Sequence, residues 1–206
     1  MKPFVARMLV FASVLVLSAC SLGGKTVPLA VIEPQVGPLN LAGLEAVAWS
    51  VEVPRPVTDQ TRDSDRVIVR RGGSRLQVYP GVSWLDGLPE MVQTLLVQAL
   101  SDSARVAGVG RSGLRARFAL AAELRRFELV DDGEGLRVEL VVTASLIDQR
   151  ASLSVGSRTF RVTQTVSSND IDDTVTAFEG GLNTLLSELI PWMLASGESV
   201  FAMSES

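Results

Sequence analysis

The chain has 206 residues, of which 47% are hydrophobic and 20% charged, and a formal net charge of −4. That suffices for one domain with a buried core, is too polar for a multi-span membrane protein, and is too acidic for a protein whose main partner is nucleic acid. Histidine is absent, cysteine occurs once and lysine only at Lys2 and Lys25, which excludes Ser-His and Cys-His catalysis, the commonest transition-metal ligand, internal disulfides and cysteine-based zinc sites.

Lys2 and Arg7 precede an apolar run, Met8 to Ala19. The run is shorter than the ~20 helical residues needed to cross ~30 Å of hydrocarbon, and it matches the apolar region of a secretory signal. It ends in Leu17-Ser18-Ala19-Cys20, the pattern of a bacterial lipobox. In that motif small residues admit the peptidase and the cysteine thiol takes a diacylglyceryl group. Residues 1–19 are therefore expected to be a lipoprotein signal peptide, with Cys20 left as the acylated, palmitate-bearing N-terminus. A free or buried cysteine behind an ordinary cleavable signal is the alternative. Cleavage removes two basic groups and no acid, so 17 Lys+Arg remain against 23 Asp+Glu, a net −6. Each buried acyl CH₂ contributes ~0.8 kcal/mol, so two or three chains hold a protein firmly. Ser21, where an aspartate is absent, resembles Gram-negative lipoproteins sorted to the outer membrane, on its periplasmic face.

Residues 20–26 read as the lipidated N-terminus and a tether containing Gly23-Gly24. Residues 27–196 read as one domain and 197–206 as a flexible tail. Val27 to Glu33 suits a strand that Pro28 confines to an edge or a strand start. Leu44 to Val53 alternates as a strand, with Val47, Trp49, Val51 and Val53 on one face, and Pro54 stops it. Arg66 to Arg71 and Arg75 to Tyr79 flank Gly72-Gly73-Ser74, a hairpin turn. Asp86 to Ser103 is a helix, because Leu88, Met91, Val92, Leu95, Leu96, Ala99 and Leu100 form a stripe of helical spacing; Asp86 is the expected cap. From Leu114 the period becomes two and runs to Leu124. The phase slips at Arg125-Arg126 before Phe127 and Leu129, which predicts a β-bulge. Asp131 to Gly135 is a turn, Leu136 to Leu146 the answering strand, Gln149 to Ser157 another turn, and Phe160 to Val166 a third strand. Asp170 opens a second helix whose Ile171, Val175, Phe178, Leu182, Leu185, Leu189 and Met193 share a face, and Pro191 is expected to kink or end it. The fold class is thus α/β with α+β character: one compact domain, a mixed sheet with a long antiparallel meander, and two main amphipathic helices.

No metal, cofactor or catalytic set emerges from these residues. Asp131, Asp132 and Glu134 lack EF-hand spacing and fit a solvated hairpin tip; Asp170, Asp172 and Asp173 fit helix capping. Gly108-Val109-Gly110 with Gly113 lacks the ending of a phosphate loop and reads as a connection. Arg115, Arg117 and Arg125 lie on the outward face of a strand, with Arg137 and Arg161 on its neighbours. They suit lipid phosphates or an acidic protein, or form a solvent face paired with Glu123, Glu128 and Glu139. Trp84, just before a helix, suits either a partner anchor or the core. Trp84, Arg115 and Arg117 are the candidate partner contacts.

The lipobox, Ile32-Glu33-Pro34, Asp63 to Arg70, Leu76 to Tyr79, Trp84-Leu85-Asp86-Gly87-Leu88-Pro89, Gln98-Ala99-Leu100, Phe118 to Phe127 and Ala177-Phe178 resemble, in that order, the ABC-type transport auxiliary lipoprotein family, the PqiC-like outer-membrane lipoproteins. The resemblance covers nearly all of the mature chain and implies a domain like the N-terminal domain of TolB. It also implies an auxiliary role beside an MCE-domain protein and an ABC transporter in moving lipid across the envelope, with homo-oligomeric rings in some members. It brings no catalytic residue, and only Cys20, the lipid attachment site, carries over. Two other readings stand beside it: a lipoprotein chaperone or plug for an outer-membrane β-barrel, and a periplasmic hydrolase, for which no residue set speaks.

Overall fold

A computed structural model describes residues 29–113 and 115–205. The lipobox, the tether and Leu114 lie outside them. Within them the chain forms β1 (Ala30–Ile32), β2 (Val47–Glu52), β3 (Arg66–Arg71), β4 (Arg75–Trp84), α1 (Leu88–Ser103), β5 (Val106–Gly110), β6 (Phe118–Asp131), β7 (Leu136–Asp148), β8 (Leu153–Thr165) and α2 (Ile171–Glu205).

The spine of the eight-stranded sheet is β6. Its alternation of apolar and polar residues lets one face be buried while the other meets solvent. β7 pairs with it antiparallel from Phe118↔Asp148 to Asp131↔Leu136, and β8 pairs antiparallel with β7. The register slips between Leu124 and Arg126, so the phase change in the sequence is a bulge. The other edge of β6 is shared. β2 runs parallel to Phe118–Ala119, β3 runs parallel to Leu129–Asp131, and Val57 bridges to Glu123 between them. β5 lies outside β2; β4 lies outside β3, and β1 runs parallel to β4 beyond it.

Both helices cover one face of this sheet. Leu182, Leu185, Leu186 and Leu189 of α2 meet Val92, Leu95 and Leu96 of α1 above Phe127 and Val142. Every residue of the expected α1 stripe is buried. The segment between β1 and β2 closes the helix layer: the Gln35 N–H donates to Glu179 on α2 (2.9 Å), and an added Cβ at Gly37 would sit 3.2 Å from Asn183. The core is rich in aromatic edges. Trp84 meets Phe127 and Phe178 edge-to-face, with ring centres 5.7 and 4.9 Å apart, and Trp49 meets Phe118 likewise at 4.9 Å. Such pairs add about 0.5–1.5 kcal/mol each beyond burial of their area.

The structure corrects several expectations. The Gly108 segment is not a connection but strand β5, parallel to β2. β4 does not stop at Tyr79: the register shift against β3 and the positive φ of Gly81 (74°) absorb Pro80-Gly81 as a bulge, and the strand resumes to Trp84. β8 begins at Leu153, well before Phe160, because Gly156 pairs with Leu146 close under Trp192. Asp86 precedes the N-cap, which is Gly87, and its carboxylate accepts the Gly87 N–H at 2.8 Å. Finally, α2 runs through Pro191 and its helical path reaches Glu205, so the stretch from Gly197 to Glu205 is helical. Gly197 gives the helix room against the Trp49 ring, whose indole N–H donates to Glu198 at 3.1 Å.

Candidate functional site

The face of the sheet turned away from the helices is covered by no other secondary-structure element among the described residues. On it β6, β7 and β8 present a polar lattice. Thr143 bonds Thr159 (2.9 Å) and Ser145 bonds Ser157 (3.0 Å) across the strands. Arg126 holds Glu139 (2.7 Å) and Arg125 holds Glu123 (3.2 Å). At the β6–β7 turn, Arg137 pairs with Asp132 and draws that carboxyl below the usual aspartate range.

One cluster here was not expected. Glu128, read as a solvent partner, is fully buried. It is held by Arg62 and by Arg70 (2.6 Å), and Arg62 also binds Asp59. Burial opposes the Arg62 charge, but the carboxylates of Glu128 and Asp59 outweigh it and raise the guanidinium above its ordinary value. Burial likewise opposes the charged form of Asp59, and Arg62 outweighs it, leaving that carboxyl lowered. The cluster pins the loop between β2 and β3 over the gap in the β6 edge, where Val57 accepts the Leu124 N–H (2.8 Å) and Thr58 donates to the Leu124 carbonyl (2.7 Å). No local pattern announces it, since Arg62 and Glu128 are 66 residues apart.

The three candidate contact residues separate. Trp84 is only 1% exposed and belongs to the core, so it is not a surface anchor. β4 carries it inward beside Ile32 of β1. Arg117 pairs with Asp148 (2.6 Å) and lies over the rings of Phe118 and Phe201, tying the end of α2 to the sheet; it is not free for a partner. Arg115 is exposed and makes no ion pair among the described residues. Cys20 and the rest of the lipobox lie outside the described residues.

A cleft of about 680 Å³ opens between residues 35–42 and the end of α1, lined by Pro38, Leu39, Leu41, Gln98, Asp102 and Arg105 among others. Ser103, the hydroxyl on its lining, donates to the Leu100 carbonyl at 2.6 Å. Among the described residues no three metal-ligating side chains converge, and no helix is long and apolar enough to cross a membrane. The geometry offers surfaces for binding and positioning.

Residues 31–189 match the family model of the ABC-type transport auxiliary lipoprotein component. The structure is similar to that of protein XCC0632 from Xanthomonas campestris, a DUF330 protein, at 30% identity and a TM-score of 0.78, covering 84% of this chain and 99% of that one. It shares its fold with protein CT253 from Chlamydia trachomatis, at 12% identity and a TM-score of 0.54, covering 73% and 98%. No curated protein matches the chain significantly. Matched over most of its length, the chain belongs to the family of ABC-type transport auxiliary lipoprotein components.

Proposed function

We propose that this protein is an outer-membrane lipoprotein, anchored by acylated Cys20 on the periplasmic face, that docks the periplasmic MCE-domain partner of an ABC lipid transporter. The observation that carries the reading is the family match over residues 31–189 on a chain whose unique cysteine closes a lipobox. The role is geometric. Acyl chains fix the domain at the inner leaflet of the outer membrane. A sheet braced on one side by two helices, and pinned on the other by the Arg62–Glu128–Arg70 cluster, presents a rigid surface to the transport machinery. The protein neither makes nor breaks bonds; it positions the end of a lipid path beside the membrane. Subunits acting together in a ring are part of this reading.

The test is a tagged pull-down from crosslinked, fractionated membranes, with wild type beside Cys20→Ala. Recovery of an MCE protein with the wild type, together with loss of outer-membrane association in the variant, supports docking. Recovery of a β-barrel and no MCE protein replaces the reading with a chaperone or plug for that barrel.

A further inference from the structure

The residues from Arg66 to Trp84, which make up β3, its turn and β4, contain four arginines and no acid, in a chain whose net charge is −4. Arg70 is spent on Glu128, and Arg71 is loosely paired with Asp131 at 3.8 Å. Arg66 and Arg75 make no ion pair among the described residues. The same hairpin exposes apolar side chains. Arg70↔Leu76, Ile68↔Val78 and Arg66↔Ser83 pair across it, and Ser83 pairs with Val31 of β1. Leu76, Val78, Arg66 and Val31 therefore stand on one face, the face away from the helices. Leu76 is 36%, Val78 45% and Val31 55% exposed, and Leu29 just before β1 is 63% exposed.

The direction of β1 links this patch to the anchor. β1 is parallel to β4, with Ala30 beside Val82 and Ile32 beside Trp84, so the chain enters β1 from the side of the hairpin turn. Leu29 follows Cys20 by nine residues, a span of at most ~30 Å. We infer that the β3–β4 hairpin and β1 form a second, non-covalent membrane contact: Leu76, Val78 and Val31 rest in the interface of an anionic phospholipid surface, while Arg66, on the same face, meets its phosphates; Arg75, paired with Arg71, stands on the opposite face. The inference rests on the acylated Cys20 of the proposed function.

Lipid fits this patch better than protein does. Four apolar side chains fall far short of the ~800 Å² per partner of a stable protein interface. A weak contact is enough for a domain already tethered, because the tether raises the effective concentration of the surface. With Arg70 already neutralised by Glu128, the unpaired Arg66 beside apolar groups is complementary to anionic headgroups.

The test uses full-length acylated protein. Its only native thiol is consumed at Cys20, so Val78→Cys takes a fluorescent probe at one place. Leu153→Cys, 66% exposed on the far strand β8, is the control. Both are reconstituted in phosphatidylethanolamine vesicles containing phosphatidylglycerol, with and without brominated acyl chains. The Val78 probe is expected to be quenched by brominated lipid several-fold more than the Leu153 probe. That quenching is expected to be lost when phosphatidylglycerol is omitted or in Arg66→Glu, and to be kept in Arg75→Glu on the opposite face; a Leu76→Cys probe repeats the measurement. Equal quenching of both probes on protein that floats with the vesicles overturns the contact and leaves the anchor intact. Shielding of Val78 that follows protein density in neutral vesicles also overturns it, in favour of a second copy of the chain. Protein that fails to float overturns the anchor, and the contact with it.

Discussion

Gly197→Ala sets two effects of opposite sign against each other at the end of α2. In an exposed helix interior the exchange stabilises by ~1 kcal/mol, because glycine has more backbone freedom to lose. Here the new Cβ would lie 2.5 Å from Cζ2 and 2.9 Å from Cη2 of Trp49. The ring has little room to yield: Trp49 is buried, meets Phe118 edge-to-face and donates its N–H to Glu198. Overpacking of this kind costs about 1–3 kcal/mol, so the net expectation is a loss of ~0–2 kcal/mol. Gly197→Val adds two methyl groups against the same ring with almost no gain in propensity, and a loss of ~3 kcal/mol is expected. Gly180→Ala is the internal control. It lies in the same helix, but its Cβ would meet the flexible Gln164 side chain at an ordinary 3.6 Å, so a gain of up to ~1 kcal/mol is expected. Urea unfolding followed by tryptophan emission gives all three values. If Gly197→Ala stabilises as much as Gly180→Ala, the end of α2 does not pack on Trp49 and the argument fails.

Trp84→Ala should cost ~3–5 kcal/mol in denaturant midpoint, by emptying the site between Phe127 and Phe178. Partner recovery per folded molecule should be unchanged, and a selective loss of binding would show that the side chain reaches the surface. Glu128→Ala leaves two arginines without their buried carboxylate and should cost about 3–5 kcal/mol, whereas Arg125→Ala, from an exposed pair, should stay within ~0.5 kcal/mol. Similar losses from the two would refute the assignment of buried and exposed pairs. Asp59, lowered in the folded state, contributes stability that is full above its unfolded value and is lost as the pH falls through the folded one. The thermal midpoint of wild type should therefore fall more steeply than that of Asp59→Asn below roughly pH 4. Parallel curves would remove Asp59 from the acid response.

The sequence was legible wherever one face of an element is apolar and the other polar. The α1 stripe and the β6 alternation, including the slip at Arg125-Arg126, state both the element and its buried side. It was illegible where glycine or proline serves packing and not a break. Gly108 and Gly110, which read as a connection, lie in β5, paired parallel with β2. Pro80-Gly81 makes a bulge, and Gly197, which looks like a stop, is a notch for Trp49. The same limit holds for the candidate contacts. Arg117 looks like a surface cation until Asp148 and Phe201 close around it, and Glu128 looks solvent-facing until Arg62 arrives from a distant loop. Arg115 stays exposed, and no described residue pairs with it. Trp84 was evenly balanced between surface and core; two aromatic rings distant in sequence decide it.

The proposed docking role and the hairpin contact both hang on Cys20. The most direct measurement is therefore intact-mass analysis of the N-terminal peptide combined with density fractionation of membranes, for wild type and Cys20→Ala. The account predicts an acylated Cys20 as the first residue and wild-type protein at outer-membrane density, with the variant released from that fraction. An unmodified cysteine, or wild-type protein recovered in the soluble fraction, would contradict it.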